Sequence, residues 1–165
     1  MDNDRIRLLQ QMPIFGGVSH NTLAYLQDQA HVVSVPQGEF FFGEGELADA
    51  VYVLDKEQAF VYKSWRGDTY RLNNLHVGDC FGEMAIIEMS PRSAAVKAIE
   101  NCRATRLSIS VLYNIYEQQP DQYLLILMNM AREISRRLRL ADERFFLAQI
   151  VKERTDVHSG EHYLI

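Results

Sequence analysis

What most restricts the fold of this chain is the punctuation between His31 and Ser108. Turn-forming clusters at Pro36-Gln37-Gly38, Gly43-Glu44-Gly45, Arg66-Gly67-Asp68 and Gly78-Asp79 cut that segment into short apolar runs. The runs predict strands near His31–Val35, Glu39–Phe42, Ala50–Leu54, Ala59–Trp65, Thr69–Leu75, Ala94–Ile99 and Arg103–Ser108. Val51, Val53, Tyr52, Phe60 and Tyr62 are strong strand formers. Many short strands at regular spacing predict a closed jelly-roll barrel, a double-stranded β-helix, rather than an open sheet.

Helical patterns flank this segment, so the fold class is mainly β with flanking helices and a long C-terminal helix. Ile6, Leu8 and Leu9 give Asp4–Gln11 helical spacing, and Pro13-Ile14-Phe15-Gly16-Gly17 breaks it. Ser19 caps a second helix through Ala30, with Leu23, Leu26 and Ala30 on one face. After the strands, a helix starts near Ser110, is interrupted at Gln119-Pro120-Asp121, and is followed by a long one to about Leu147. Residues 1–30 are thus an N-terminal helical segment, 31–108 the β-roll, 109–147 the C-terminal helices and 148–165 a tail. In the long helix Leu124, Leu127, Ala131, Ile134, Leu138, Ala141 and Phe145 recur by alternating steps of three and four, a coiled-coil seam. Arg137 falls at g and Asp142 at e, positions that pair between parallel helices. The expectation is a homodimer through 121–147, with Leu125, Met128 and Met130 widening the stripe toward the barrel.

Composition narrows the function classes. The chain has 165 residues, 47% hydrophobic, enough for one domain with a core plus a protruding element. A net charge of −5 argues against nucleic acid as partner, and Arg132, Arg136, Arg137 and Arg139 read as a solvated helix face. Cys80 and Cys102 stand at no metal-like spacing and read as buried residues of a reducing compartment. The start has no signal-peptide form and no apolar run reaches bilayer length, so the expectation is a soluble cytoplasmic protein with no membrane contact. The histidines His20, His31, His76, His158 and His162 are scattered, so neither a metal nor a cofactor is expected, and no enzyme. Trp65, at a hairpin edge, reads as a packing residue.

The stretch FGEMAIIEMSPRSAAVKAIENC, from Phe81 to Cys102, carries the chemistry. Gly82-Glu83 ends a turn-rich segment, a short apolar run follows, and Arg92 comes nine positions after Glu83. A glycine permits close backbone approach at one end and Ala94-Ala95 leave room at the other. Such a cradle suits a small anion with a neighbouring hydroxyl. In such a cradle Arg92 can fork onto a phosphate, Ser93 and backbone N–H groups can donate to it, and Glu83 can accept from a sugar hydroxyl. Repulsion between that carboxylate and a phosphate is met by pairing Glu83 with Arg92.

This segment resembles the phosphate-binding cassette, here 81–96, of cyclic-nucleotide-binding domains, found in Crp/Fnr regulators, cyclic-nucleotide-dependent kinases and gated channels. The family pattern F-G-E-[LM]-A, a short gap, then R-[AST]-A-x-V is matched by Phe81-Gly82-Glu83-Met84-Ala85 and Arg92-Ser93-Ala94-Ala95-Val96. The resemblance covers about Phe15 to Phe146. It implies that Glu83 binds the ribose 2′-hydroxyl and that Gly82, Met84, Ala85 and Ala94 line the ligand. Arg92 and Ser93 would hold the phosphate. By the same resemblance the long helix dimerises and meets the base near Leu138, Ala141 and Asp142. Asp142 either accepts from the base or pairs with Arg137. Ala48 and Glu57 depart from the family's glycines, and a positive φ at Glu57 would be strained.

The expected function is a regulatory sensor for a cyclic nucleotide, cAMP ahead of cGMP with cGMP left open, relaying through its C-terminal helix to an unknown effector protein. Two alternatives remain: the sensor portion of a Crp/Fnr-type transcription regulator, or a ligand-free β-roll scaffold. The 18 residues after Leu147 are too few for a helix-turn-helix, so no direct DNA binding is expected from this chain.

Overall fold

The computed structural model describes residues 2–160, with side chains from 6 to 152. Helix α1 (Asp2–Gln11) leads through a 3₁₀ turn at Pro13–Phe15 into α2 (His20–Gln29), whose N-cap Ser19 accepts a hydrogen bond from the Thr22 N–H. Eight strands follow: β1 (His31–Val35), β2 (Phe40–Phe42), β3 (Ala50–Lys56), β4 (Ala59–Trp65), β5 (Asp68–Leu75), β6 (Cys80–Phe81), β7 (Ala95–Ala98) and β8 (Cys102–Ser108). A short helix, α3 (Glu83–Ile87), separates β6 from β7, and α4 (Ile109–Gln118) and α5 (Pro120–Gly160) end the described chain.

The strands form two antiparallel four-stranded sheets, ordered β1-β8-β3-β6 and β2-β7-β4-β5, the jelly-roll expected from the turn spacing. Between the sheets lies a core of Phe42, Ala50, Tyr52, Leu54, Ala59, Leu75, Phe81, Val96 and Ala98. A second core joins the outer side of the first sheet (Val51, Val53, Leu107) to Ile14, Phe15, Leu23, Leu26, Leu112, Ile115, Ile126 and Met130 of the helices. Alternate residues of β3 serve the two cores, which is why all of Ala50–Leu54 is buried.

The chain divides into two compact units, one ending at Met130 and the other beginning at Ala131. In the first, α5 buries Ile126 and Met130, one helical turn apart, and packs Tyr123, Leu125 and the seam residue Leu127 partly buried against the same core. Between them Asn129, nearly buried, donates from Nδ2 to the carbonyls of Ile14 (3.0 Å) and Gly16 (2.9 Å). In the second unit the helix leaves Leu138, Leu140, Phe145, Phe146, Leu147 and Val151 exposed.

Helix α4 starts near Ser110 as expected, with Ser108 as its N-cap accepting from the Val111 N–H. Three expectations change. The sequence pattern predicts no strand at β6, because two residues are too short to show alternation. Helix α5 does not stop near Leu147: nothing between Ala148 and Ser159 breaks a helix, and it runs to Gly160, so most of the expected tail is helical. Residues 161–165 of that tail lie outside the described residues. Finally, Glu57 does adopt the left-handed conformation, with φ 66°.

Candidate functional site

The Phe81–Val96 segment is folded around one buried cation. Gly82, at the end of β6, has φ 78° and is the N-cap of α3, a backbone state that favours glycine. The turn sends Glu83 inward, where it is 1% exposed, and buries Ala85, while Met84 stays partly exposed. Arg92 comes back under this turn and is itself only 3% exposed. Its Nη1 donates to the Gly82 carbonyl at 2.6 Å and its Nη2 to the Ala50 carbonyl at 2.7 Å. The guanidinium carbon lies 4.1 Å from the centre of the Phe42 ring and 5.8 Å from that of Tyr52, a cation–π contact on the wall of the inner core. That wall is aromatic: Tyr52 stacks on Phe81 at 5.3 Å between centroids.

These bonds correct the expected pairing of Glu83 with Arg92. No carboxylate forms an ion pair with Arg92 among the described residues, and its terminal nitrogens go to two carbonyls instead. The reason is local: the Gly82 turn presents its own carbonyl to the guanidinium. Burial, the largest influence, lowers the Arg92 pKa, and the carboxylates of Asp49, Glu46 and Glu83 offset it only in part from longer range. The two bonds use two of five guanidinium N–H groups, and the buried Nε–H has no acceptor.

A backbone clasp holds this arrangement. The Arg92 N–H donates to the Glu46 carbonyl and the Gly45 N–H to the Arg92 carbonyl, each at 2.8 Å. Ser93 is exposed and Ala94 half-buried. The Ser93 carbonyl accepts from Lys63 Nζ at 2.7 Å, and the same ammonium bonds the Glu44 carboxylate. That carboxylate, which also accepts from the Ser64 N–H, is held below its ordinary pKa by Lys63 first and by that backbone group second. Leu138, Ala141 and Asp142 lie on the second unit, all exposed, Leu138 by 60%.

Sequence reasoning missed Phe42, Tyr52, Glu44 and Lys63. Aromatic strand residues look alike from sequence, and only the register of β4 on β7, Tyr62 opposite Ala95, brings Lys63 beside the cassette. Trp65 is not a packing residue: it is 63% exposed, with the Arg66 guanidinium 5.5 Å from its ring. Among the described residues no group of three or more His, Cys, Asp or Glu side chains could hold a metal ion, and no helix is long and apolar enough to cross a membrane.

With a buried arginine, a left-handed glycine and an inward glutamate at this spacing, comparison becomes decisive. The family model described as "Cyclic nucleotide-binding domain" matches residues 32–119, more than half of the chain. The chain belongs to the cyclic nucleotide-binding domain family. Among curated relatives, the CRP-like cAMP-activated global transcriptional regulator of Mycobacterium tuberculosis is 29% identical over 135 residues, covering 80% of this chain and 58% of that protein. Among solved structures, the Thermus thermophilus catabolite activator protein superposes with TM-score 0.70 at 26% identity, over 83% of this chain and 63% of that one. A cyclic nucleotide-binding domain from Methylobacillus flagellatus gives TM-score 0.78 over 89% of this chain and 83% of that one, at 20% identity, a likeness of fold alone. The chain thus spans less than two thirds of the length of its first relatives.

Proposed function

We propose that this chain is a regulatory, non-enzymatic cyclic-nucleotide sensor of the cytoplasm that prefers cAMP to cGMP. The observation that carries this reading is the state of Arg92: a buried guanidinium with an unused Nε–H and no carboxylate partner among the described residues. A buried cation left so is costly, and an incoming phosphate supplies both the missing acceptor and the missing charge. In this reading the phosphate takes Arg92 and Ser93, and Glu83 accepts from the ribose 2′-hydroxyl. Met84, Ala85 and Ala94 line the ligand with Gly82. Leu138, Ala141 and Asp142 are the helix positions that answer to the base. Occupancy is relayed through α5 to an effector protein, from a homodimer paired along 121–147. The preference for cAMP draws on the printed function of the Mycobacterium relative, a cAMP-activated regulator.

The test is calorimetric titration with cAMP, cGMP and 2′-deoxy-cAMP. Tighter binding of cAMP than of the other two supports the reading, and equal binding of the 2′-deoxy compound removes Glu83 from the site. No heat with any ligand leaves a scaffold with an empty roll.

A second reading, that this is the sensor portion of a Crp/Fnr-type transcription regulator, is favoured by the 58% coverage of the Mycobacterium protein. A helix-turn-helix in the full gene product decides for it.

A further inference from the structure

We propose that Lys63 is a second cation of the same anion site, held on Glu44 and Ser93 until a phosphate draws it away. This rests on the reading of the site as a cyclic-nucleotide site. Lys63 Nζ is 2.7 Å from the Ser93 carbonyl oxygen, one residue beyond Arg92. Its other bond is to Glu44 Oε1 at 2.5 Å. An ammonium on a four-carbon stem is a mobile point charge with three donors, two of them used here. Its side chain is 47% exposed, so re-aiming it does not bury a charge.

The remaining bonds show what stays when Lys63 moves. Glu44 Oε2 accepts from the Ser64 N–H at 2.9 Å, and the next residue, Gly45, donates to the Arg92 carbonyl. Glu44 is therefore anchored to β4 and to the cassette without the lysine. Arg92 is the opposite kind of donor, planar, buried and fixed over Phe42. A cyclic phosphate carries one charge over two exocyclic oxygens. A fixed guanidinium on one and a mobile ammonium on the other divide the work between orientation and charge. Phosphate and Glu44 then compete for Lys63, and binding loosens the link between the β4–β5 hairpin and the Gly43–Glu46 turn.

Titration of Lys63→Met, Lys63→Arg and Glu44→Gln with cAMP at several salt concentrations tests this. Lys63→Met is expected to weaken binding by about tenfold and flatten its salt dependence, and Lys63→Arg to stay within about threefold. Glu44→Gln releases the competitor and is expected to bind cAMP as tightly as the wild type or more so. If Lys63 only ties the turn to the cassette, Glu44→Gln weakens binding as Lys63→Met does, and that result overturns the inference. So does unchanged affinity in Lys63→Met while the wild type binds cAMP, which leaves the sensor reading standing. A wild type that binds no cyclic nucleotide removes both.

Discussion

Gly82 and Arg92 are shaped around each other: Arg92 Nη1 donates to the Gly82 carbonyl at 2.6 Å, and a Cβ added at 82 would stand 2.5 Å from that same nitrogen. The same Cβ would lie 3.2 Å from Phe42 Cε1, and the guanidinium carbon already lies 4.1 Å from the centre of that ring, so it has no room to retreat toward it. Gly82→Ala therefore meets both a left-handed backbone and a displaced cation. The expected loss is about 1–3 kcal/mol of stability in urea unfolding, with nucleotide binding lost alongside.

Arg92→Met separates stability from binding. It removes a charge that burial already disfavours, but leaves the Gly82 and Ala50 carbonyls without their donor. These effects oppose each other, and the unliganded variant should unfold within about 1 kcal/mol of the wild type. Its cAMP affinity should fall by roughly 2–5 kcal/mol in calorimetry.

The Glu44 carboxyl should titrate below its ordinary value of 4.5, since Lys63 and the Ser64 N–H both favour its charged form. A carboxylate whose pKa falls on folding adds stability above its unfolded value and loses it as pH drops through the folded one. The Lys63 tie is thus intact at neutral pH and released only in acid. A carbon-detected NMR titration should place the Glu44 midpoint below 4.5, and Lys63→Met should raise it.

Cys102 should resist alkylation while the protein is folded. Its Sγ donates to the Gln58 carbonyl at 3.0 Å, and burial, the largest influence, raises its pKa. With little thiolate and no access, labelling by iodoacetamide should track unfolding in urea rather than thiol chemistry.

The proposed pairing along α5 predicts that the wild type sediments as a dimer and Leu138→Asp as a monomer in sedimentation velocity. Leu138 is 60% exposed and Phe145 65%, on a seam with alternating three- and four-residue steps. A dimer that persists in the variant removes α5 as the interface.

Much of the fold was legible because its signals are local. The strands His31–Val35 and Ala59–Trp65, and the cap at Ser19, lie where periodicity and turn chemistry put them. Cys80–Phe81 escaped because its pairing with Tyr52 and Val53 is set from across the sheet. The cassette could be named from Gly82, Glu83 and Arg92, but not the direction of the guanidinium. That depends on which carbonyls and rings the roll brings within reach, and Ala50 and Phe42 are far away in sequence. Lys63 was silent for the same reason.

Asn129 holds the carbonyls of Ile14 and Gly16 from 115 and 113 residues away. On the ribosome, at about 5–20 residues per second, those carbonyls wait of the order of ten seconds for their donor. Until then the N-terminal turn has an open seat, and a nascent chain arrested before that asparagine emerges leaves both carbonyls to water.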